Sequence, residues 1–221
     1  MRNLSFLLCA AGAWGCLAPP PGATAPAAPS SAEPAPASAP GDLSKPLVVW
    51  NGDNVKPTAQ SWSDCDSKPC TSVAEVSAKA GSNGTVGLEY RVETSKGWAG
   101  FGWNWTSWYV GGASNVVGRK NLKLMLQIQA DGADTAPELD GIQIGLRCAK
   151  AKQCGVGLAG LKKYEPAAAD GQWHDVSIPL ADMKPEKGVI WDPGSVWEIT
   201  IGSWAPTPKK FVIHLDDIRF E

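Results

Sequence analysis

The chain of 221 residues has a formal net charge of −2, from 20 lysines and arginines set against 22 aspartates and glutamates, with no basic block. That balance excludes the electrostatic footprint of a nucleic-acid binder, and two histidines leave little for acid–base or nucleophilic chemistry. The excess lies elsewhere, in 11 tryptophans and 6 cysteines.

The N-terminal segment is not domain material. Met1-Arg2 gives a short positive start, Leu4 to Trp14 is apolar, and Ala13-Trp14-Gly15-Cys16 sets a small residue directly before a cysteine. Residues 1–16 read as an export signal, too short for the about 20 residues that a membrane helix needs. The Gly15-Cys16 junction resembles a bacterial lipoprotein processing site. That resemblance implies a lipid on Cys16 and an exported protein anchored in the bacterial cell envelope, at the outer membrane or cell surface. Plain secretion after cleavage between Ala10 and Ala18 is the alternative. Residues 17–46 turn to proline, alanine and serine and read as a disordered tether; in polyproline II geometry it would reach roughly 90 Å, at about 3.1 Å per residue.

From residue 47 onward, short runs of period-two alternation are broken by glycine and proline about every ten residues, which is strand patterning. Leu47 to Trp50 opens as a strand and stops at the turn signal Asn51-Gly52-Asp53-Asn54. Cys65 and Cys70 follow as a close pair, and Val86 to Glu93 is the next strand, with Val86, Leu88, Tyr90 and Val92 on one face. Phe101, Trp103 and Trp105 alternate with Gly102, Asn104 and Thr106. Asn121 to Gln129 and Gly141 to Arg147 give two further strands, followed by the second close pair, Cys148 and Cys154. Trp173 to Leu180, Val196 to Gly202 and Phe211 to Phe220 complete the set. No window of helical length carries a 3.6-residue apolar period. The expectation is an all-β, two-sheet antiparallel sandwich of eight or nine strands over residues 47–221, and a monomer.

Four cysteines outside the signal allow three connectivities. In an exported chain the local ones, Cys65 with Cys70 and Cys148 with Cys154, are favoured because each pair flanks turn-forming residues. A zinc site is the competing reading, although the spacings depart from paired Cys-x2-Cys knuckles.

Two C-terminal phrases carry a resemblance. Gln172-Trp173-His174-Asp175-Val176-Ser177-Ile178-Pro179-Leu180 and Phe211-Val212-Ile213-His214-Leu215-Asp216-Asp217-Ile218-Arg219-Phe220 resemble the late strands of β-jelly-roll modules from carbohydrate-active proteins. The chain is similar to the galactose-binding-like carbohydrate-binding-module families, the family 11 type in particular, over Leu47 to Glu221 in order of elements. The resemblance implies a jelly roll and non-catalytic binding of a polysaccharide or oligosaccharide. It also implies one structural calcium, held by Asp216 with Asp53 or a neighbouring turn carbonyl, although Val48-Val49-Trp50 stands where an acidic residue is common. The alternative for Asp216 is a strand-end bulge in which it bonds backbone amides or pairs with Arg219.

The candidate ligand-binding residues are Trp98, Trp103, Trp105, Trp108 and Tyr109, because indole faces stack on the axial C–H groups of a pyranose. Alternation leaves two registers open. With Phe101, Trp103 and Trp105 in the core, Trp108 is the exposed ring; in the reverse register Trp103 and Trp105 form the platform. Asn104, Gln127, Gln129 and Gln143 are the polar candidates, and Trp62, Trp191 and Trp204 sit beside turns where they can rim a cleft or pack as loops. No Gly-x-Ser-x-Gly elbow occurs, so the expectation is no enzyme. A structural or assembly lipoprotein that binds a protein partner and no sugar is the competing function; exposed tryptophans in a groove would separate the two.

Overall fold

The computed structural model describes residues 41–52, 58–105, 113–132, 136–149 and 153–221. Among these residues there are eleven strands: β1 (Leu47–Trp50), β2 (Thr58–Cys65), β3 (Cys70–Ser77), β4 (Gly87–Thr94), β5 (Gly97–Asn104), β6 (Asn121–Ala130), β7 (Ile142–Cys148), β8 (Gly155–Ala159), β9 (His174–Pro179), β10 (Val196–Ala205) and β11 (Lys209–Phe220). They form two antiparallel sheets. One has the order β3-β4-β11-β6-β9, with β1 also paired to β11; the other has the order β2-β5-β10-β7-β8. The all-β sandwich read from the sequence is the fold observed. The three strands the pattern missed are β2, β3 and β8.

Each sheet turns one set of alternating residues inward. β6 buries Leu122, Leu124, Leu126 and Ile128, and β11 beside it buries Phe211, Ile213, Leu215, Ile218 and Phe220. The facing sheet contributes Phe101 and Trp103 from β5, Ile199 and Ile201 from β10, and Ile144 and Leu146 from β7. Aromatic rings run through this core: Trp103 lies 5.0 Å from Trp50 and 5.7 Å from Trp105, and Tyr90 lies 4.5 Å from Phe101.

Both local cysteine pairs are bridged, with Cα–Cα distances of 5.8 Å for Cys65–Cys70 and 5.1 Å for Cys148–Cys154. Cys65 ends β2 in one sheet and Cys70 begins β3 in the other, so the first bridge ties the two sheets together. The second closes the β7–β8 hairpin. Each short loop is worth roughly 2 kcal/mol in the chain-entropy account. Ahead of β1, buried Arg119 donates to the carbonyls of Asp42 and Lys45, holding the last residues before the domain against it.

Candidate functional site

The outer face of the five-stranded sheet collects what the sequence left scattered. On β5, Phe101 and Trp103 point inward, so period two turns Trp98, Gly100, Gly102 and Asn104 outward. Register extends that face across the sheet: Trp62 of β2 lies opposite Gly100, Trp204 of β10 opposite Trp98, and Gly202 opposite Gly100. Thr200 pairs with Gly145, and Gly145 with Gly157 on β8.

Glycine sets the floor. A β-carbon at Gly100 would sit 2.9 Å from the six-membered ring of Trp98, and one at Gly202 would sit 3.0 Å from the same ring. One at Gly102 would come 3.1 Å from Trp62 Cη2. With no side chains beneath them, the two indoles lie down on the sheet. They are 6.0 Å apart and only 15° from parallel. Both are half-buried, while Trp204 at the edge is 48% exposed. The result is an aromatic surface over a bare backbone floor, suited to stacking a flat ring rather than gripping a charge.

Polar groups line the opposite margin. Glu198 of β10 stands between Asn104 of β5 and Arg147 of β7, with Oε1 3.3 Å from Arg147 Nη1. Glu198 is 3% exposed, and burial pushes its carboxyl up to about 7 against the opposing pull of Arg147. Gln143 lies on the same face, opposite Gly202.

The remaining predicted residues fall elsewhere. Trp103 and Trp105 are 0% and 6% exposed in the core, so of the two registers left open the structure takes the one with Phe101 inward, and neither ring offers a face to a ligand. Trp105 Nε1 donates to Ser114 Oγ at 3.1 Å, a packing role. Asn104, although on the outward side of β5 beside Glu198, is 1% exposed and offers a ligand no surface. Gln127 and Gln129 lie on β6, on the outer face of the other sheet, and cannot join this site. Gln127 donates to the Gly171 carbonyl and meets His214 Nδ1 at 2.9 Å. Trp191 packs against the core. Trp108, Tyr109, Asp53 and Cys16 lie outside the described residues.

Asp216 has the surroundings of the bulge alternative. The β11 register shifts between Asp216 and Arg219, and Asp217 takes φ +46°. Asp216 Oδ2 accepts from Ser82 N at 2.9 Å, Ser82 Oγ at 3.0 Å and Thr85 Oγ1 at 3.5 Å, and Oδ1 accepts from Asp217 N at 2.7 Å. Asp217, rather than Asp216, pairs with Arg219. Asp53, the other ligand expected for a calcium, lies outside the described residues, so this site is described from the Asp216 side alone. A buried carboxylate already satisfied by N–H and O–H donors has little left for a cation, and no group of three His, Cys, Asp or Glu gathers among the described residues. A chelator is therefore expected to leave the melting temperature unchanged, whereas Asp216→Ala should cost about 2 kcal/mol by stranding its donors. A melting temperature that falls in chelator and returns with calcium would show a bound metal.

Comparisons with known proteins agree with the fold. No curated protein sequence matches the chain. The family 30 carbohydrate-binding module of a cellulosomal cellulase of Clostridium thermocellum superposes with a TM-score of 0.54 at 20% identity, covering 80% of this chain and 97% of that one. The family 11 module of another cellulosomal cellulase of the same organism gives a TM-score of 0.53 at 13% identity, covering 83% and 95%. A family 11 module from Clostridium thermocellum in complex with a β-1,3-1,4-mixed-linked tetrasaccharide gives a TM-score of 0.51 at 12% identity, covering 83% and 96%. At these identities the neighbours show the fold, the family 11 likeness included. The model for carbohydrate-binding domain 30 matches residues 48–221, most of the chain, and the chain belongs to that family.

Proposed function

We propose that the domain binds a β-linked glucan without cleaving it, stacking sugar rings on Trp62 and Trp98 with Trp204 at the margin. The observation that carries this reading is the pair of near-parallel indoles laid over Gly100, Gly102 and Gly202 on an outer sheet face. β-Linked glucose holds its hydroxyls equatorial and presents axial C–H groups on both ring faces, the surface that an indole accepts. The tetrasaccharide in the family 11 neighbour is β-1,3-1,4-mixed-linked.

The carboxylates of this face support binding over hydrolysis. Asp64 pairs in register with Trp98, and Glu198 with Asn104, six positions further along β5. At about 3.4 Å per residue the two are roughly 20 Å apart along the strand, whereas glycosidase pairs lie about 5 to 10 Å apart.

The remainder of the reading rests on the sequence: a lipid on Cys16 and the 17–46 tether would display a monomeric module at the cell envelope. Affinity electrophoresis of the chain through mixed-linkage β-1,3-1,4-glucan, β-1,2-glucan and starch tests the binding. Retardation on a β-glucan with a shift in tryptophan emission, and none on the α-linked starch, is the expected result. No retardation on any of the three by a folded chain would sink the reading and favour a protein partner.

A further inference from the structure

The tryptophan surface accounts for stacking but not for selection among sugars, since an indole accepts any ring with an axial C–H face. Selection needs directional hydrogen bonds, and one charged group of the described floor is placed to supply them. Arg147 projects from β7 beside Gly145, with its side chain 33% exposed. Beneath it, Glu198 is 3% exposed and anchors one guanidinium nitrogen at 3.3 Å. Glu198 Oε1 and Trp62 Cη2 both lie within about 3 Å of the same point above Gly102, at 2.8 Å and 3.1 Å, so the acid, its arginine and the aromatic platform form one continuous patch.

Resting on the glucan-binding reading, we propose that Arg147 is the specificity contact of this surface, donating its free N–H groups to ring hydroxyls of the stacked glycan, and that ionised Glu198 is the positioning residue that holds it ready. An arginine has five donors in a rigid fork, so engaging Glu198 through one leaves the others for the ligand. Holding the side chain in place before the sugar arrives removes an ordering cost from binding.

The arrangement makes affinity depend on pH near neutrality. Burial raises the Glu198 carboxyl to about 7, so the acid changes charge in the physiological range. Arg147 on β7 is the one charged group bearing on it among the described residues; Gly102 and Asn104 on β5, Thr200 on its own strand and Trp62 on β2 do not titrate near pH 7. Above about 7 the ionised Glu198 holds Arg147; below it the neutral acid releases the guanidinium to solvent.

Calorimetric titration of the full chain with mixed-linkage β-1,3-1,4-glucan, between about pH 5.5 and about pH 8.5, tests the proposal. Wild-type affinity is expected to fall about tenfold as pH drops, near the lower end of the range of a charge-assisted hydrogen bond. Glu198→Gln keeps the shape and an acceptor, and should bind at the wild-type low-pH level at every pH. Arg147→Ala should be as weak and equally flat. A flat wild-type profile, or a slope that survives in Glu198→Gln, would overturn the proposal. Trp98→Ala separates the two readings: its loss of binding with any of those contrary profiles leaves the stacking surface standing without the switch, while wild-type binding in that variant, or no binding by wild type at any pH, removes both.

Discussion

Trp98→Ala is expected to weaken β-glucan binding by about thirtyfold or more, the largest loss for any single residue of the outer face. The ring contributes in two ways. The ring is itself a stacking platform, worth about 1 to 3 kcal/mol by analogy with bases stacked on aromatic side chains. It also lies 6.0 Å from Trp62 at 15° and roofs Gly100 and Gly202, so its removal takes away the neighbour that keeps Trp62 flat. At least about 2 kcal/mol is lost between them, which is the thirtyfold. Trp204, at the margin and 48% exposed, should cost less. Stability should change little in each case, because these rings rest on the outside of a sheet whose core lies on the other side. Titration calorimetry beside thermal melts reads both quantities. Unchanged affinity in a folded Trp98→Ala chain would remove the outer face of the five-stranded sheet as the binding surface.

Much of this architecture was legible in the sequence, for a physical reason that also marks the limit. β6 buries one face completely and sets polar residues on its half-buried outer face, and β11 does the same up to its bulge, so apolar and polar residues alternate and the strand declares itself. β3 turns Cys70, Ser72 and Ala74 to its half-buried side and leaves Val73 49% exposed, so the inner positions of this edge strand are small or polar and hydropathy shows no alternation to read. β8 is five residues long and rich in glycine. The bridges were legible because short cysteine spacings beside turns leave few geometries.

The site was legible only in part. Parity along β5 places Trp98, Gly100 and Gly102 on one face and Phe101 and Trp103 on the other, but not which face is core. One further signal could have decided it: a face with two glycines offers nothing to fill a sandwich interior, so the tryptophan sharing it belongs outside. Trp62 joins Trp98 through the β2–β5 register, and Arg147 meets Glu198 through the β7–β10 register. Such cross-strand neighbours are set by topology, and no local spacing encodes them. Gln127 shows the converse. Its alternation with apolar residues was real, yet it belongs to the other sheet, where it bonds Gly171 and His214.

Trp103→Ala should separate core from site from the opposite direction. Trp103 is 0% exposed, one strand position from outward-facing Gly102, and packs between Trp50 and Trp105 at 5.0 Å and 5.7 Å. Deleting an indole there leaves a cavity that rigid neighbours on two sheets cannot close, because Trp50 sits on β1 and Trp105 follows β5, each held by its own ladder or hydrogen bond. Buried large aromatics replaced by alanine cost about 3 to 5 kcal/mol, which in a domain of this size lowers the melting temperature on the order of 10 °C. Trp103→Phe should recover much of that, since it keeps a ring in contact with both neighbours. The indole nitrogen argues for the same outcome: Trp103 Nε1 is buried with no hydrogen-bond partner among the described residues, so phenylalanine sacrifices no bond. Glycan affinity of the folded fraction should stay at the wild-type level in both variants, because no atom of Trp103 reaches the outer face. A variant at Trp103 that melts normally but no longer binds would reverse the assignment of the two faces of β5.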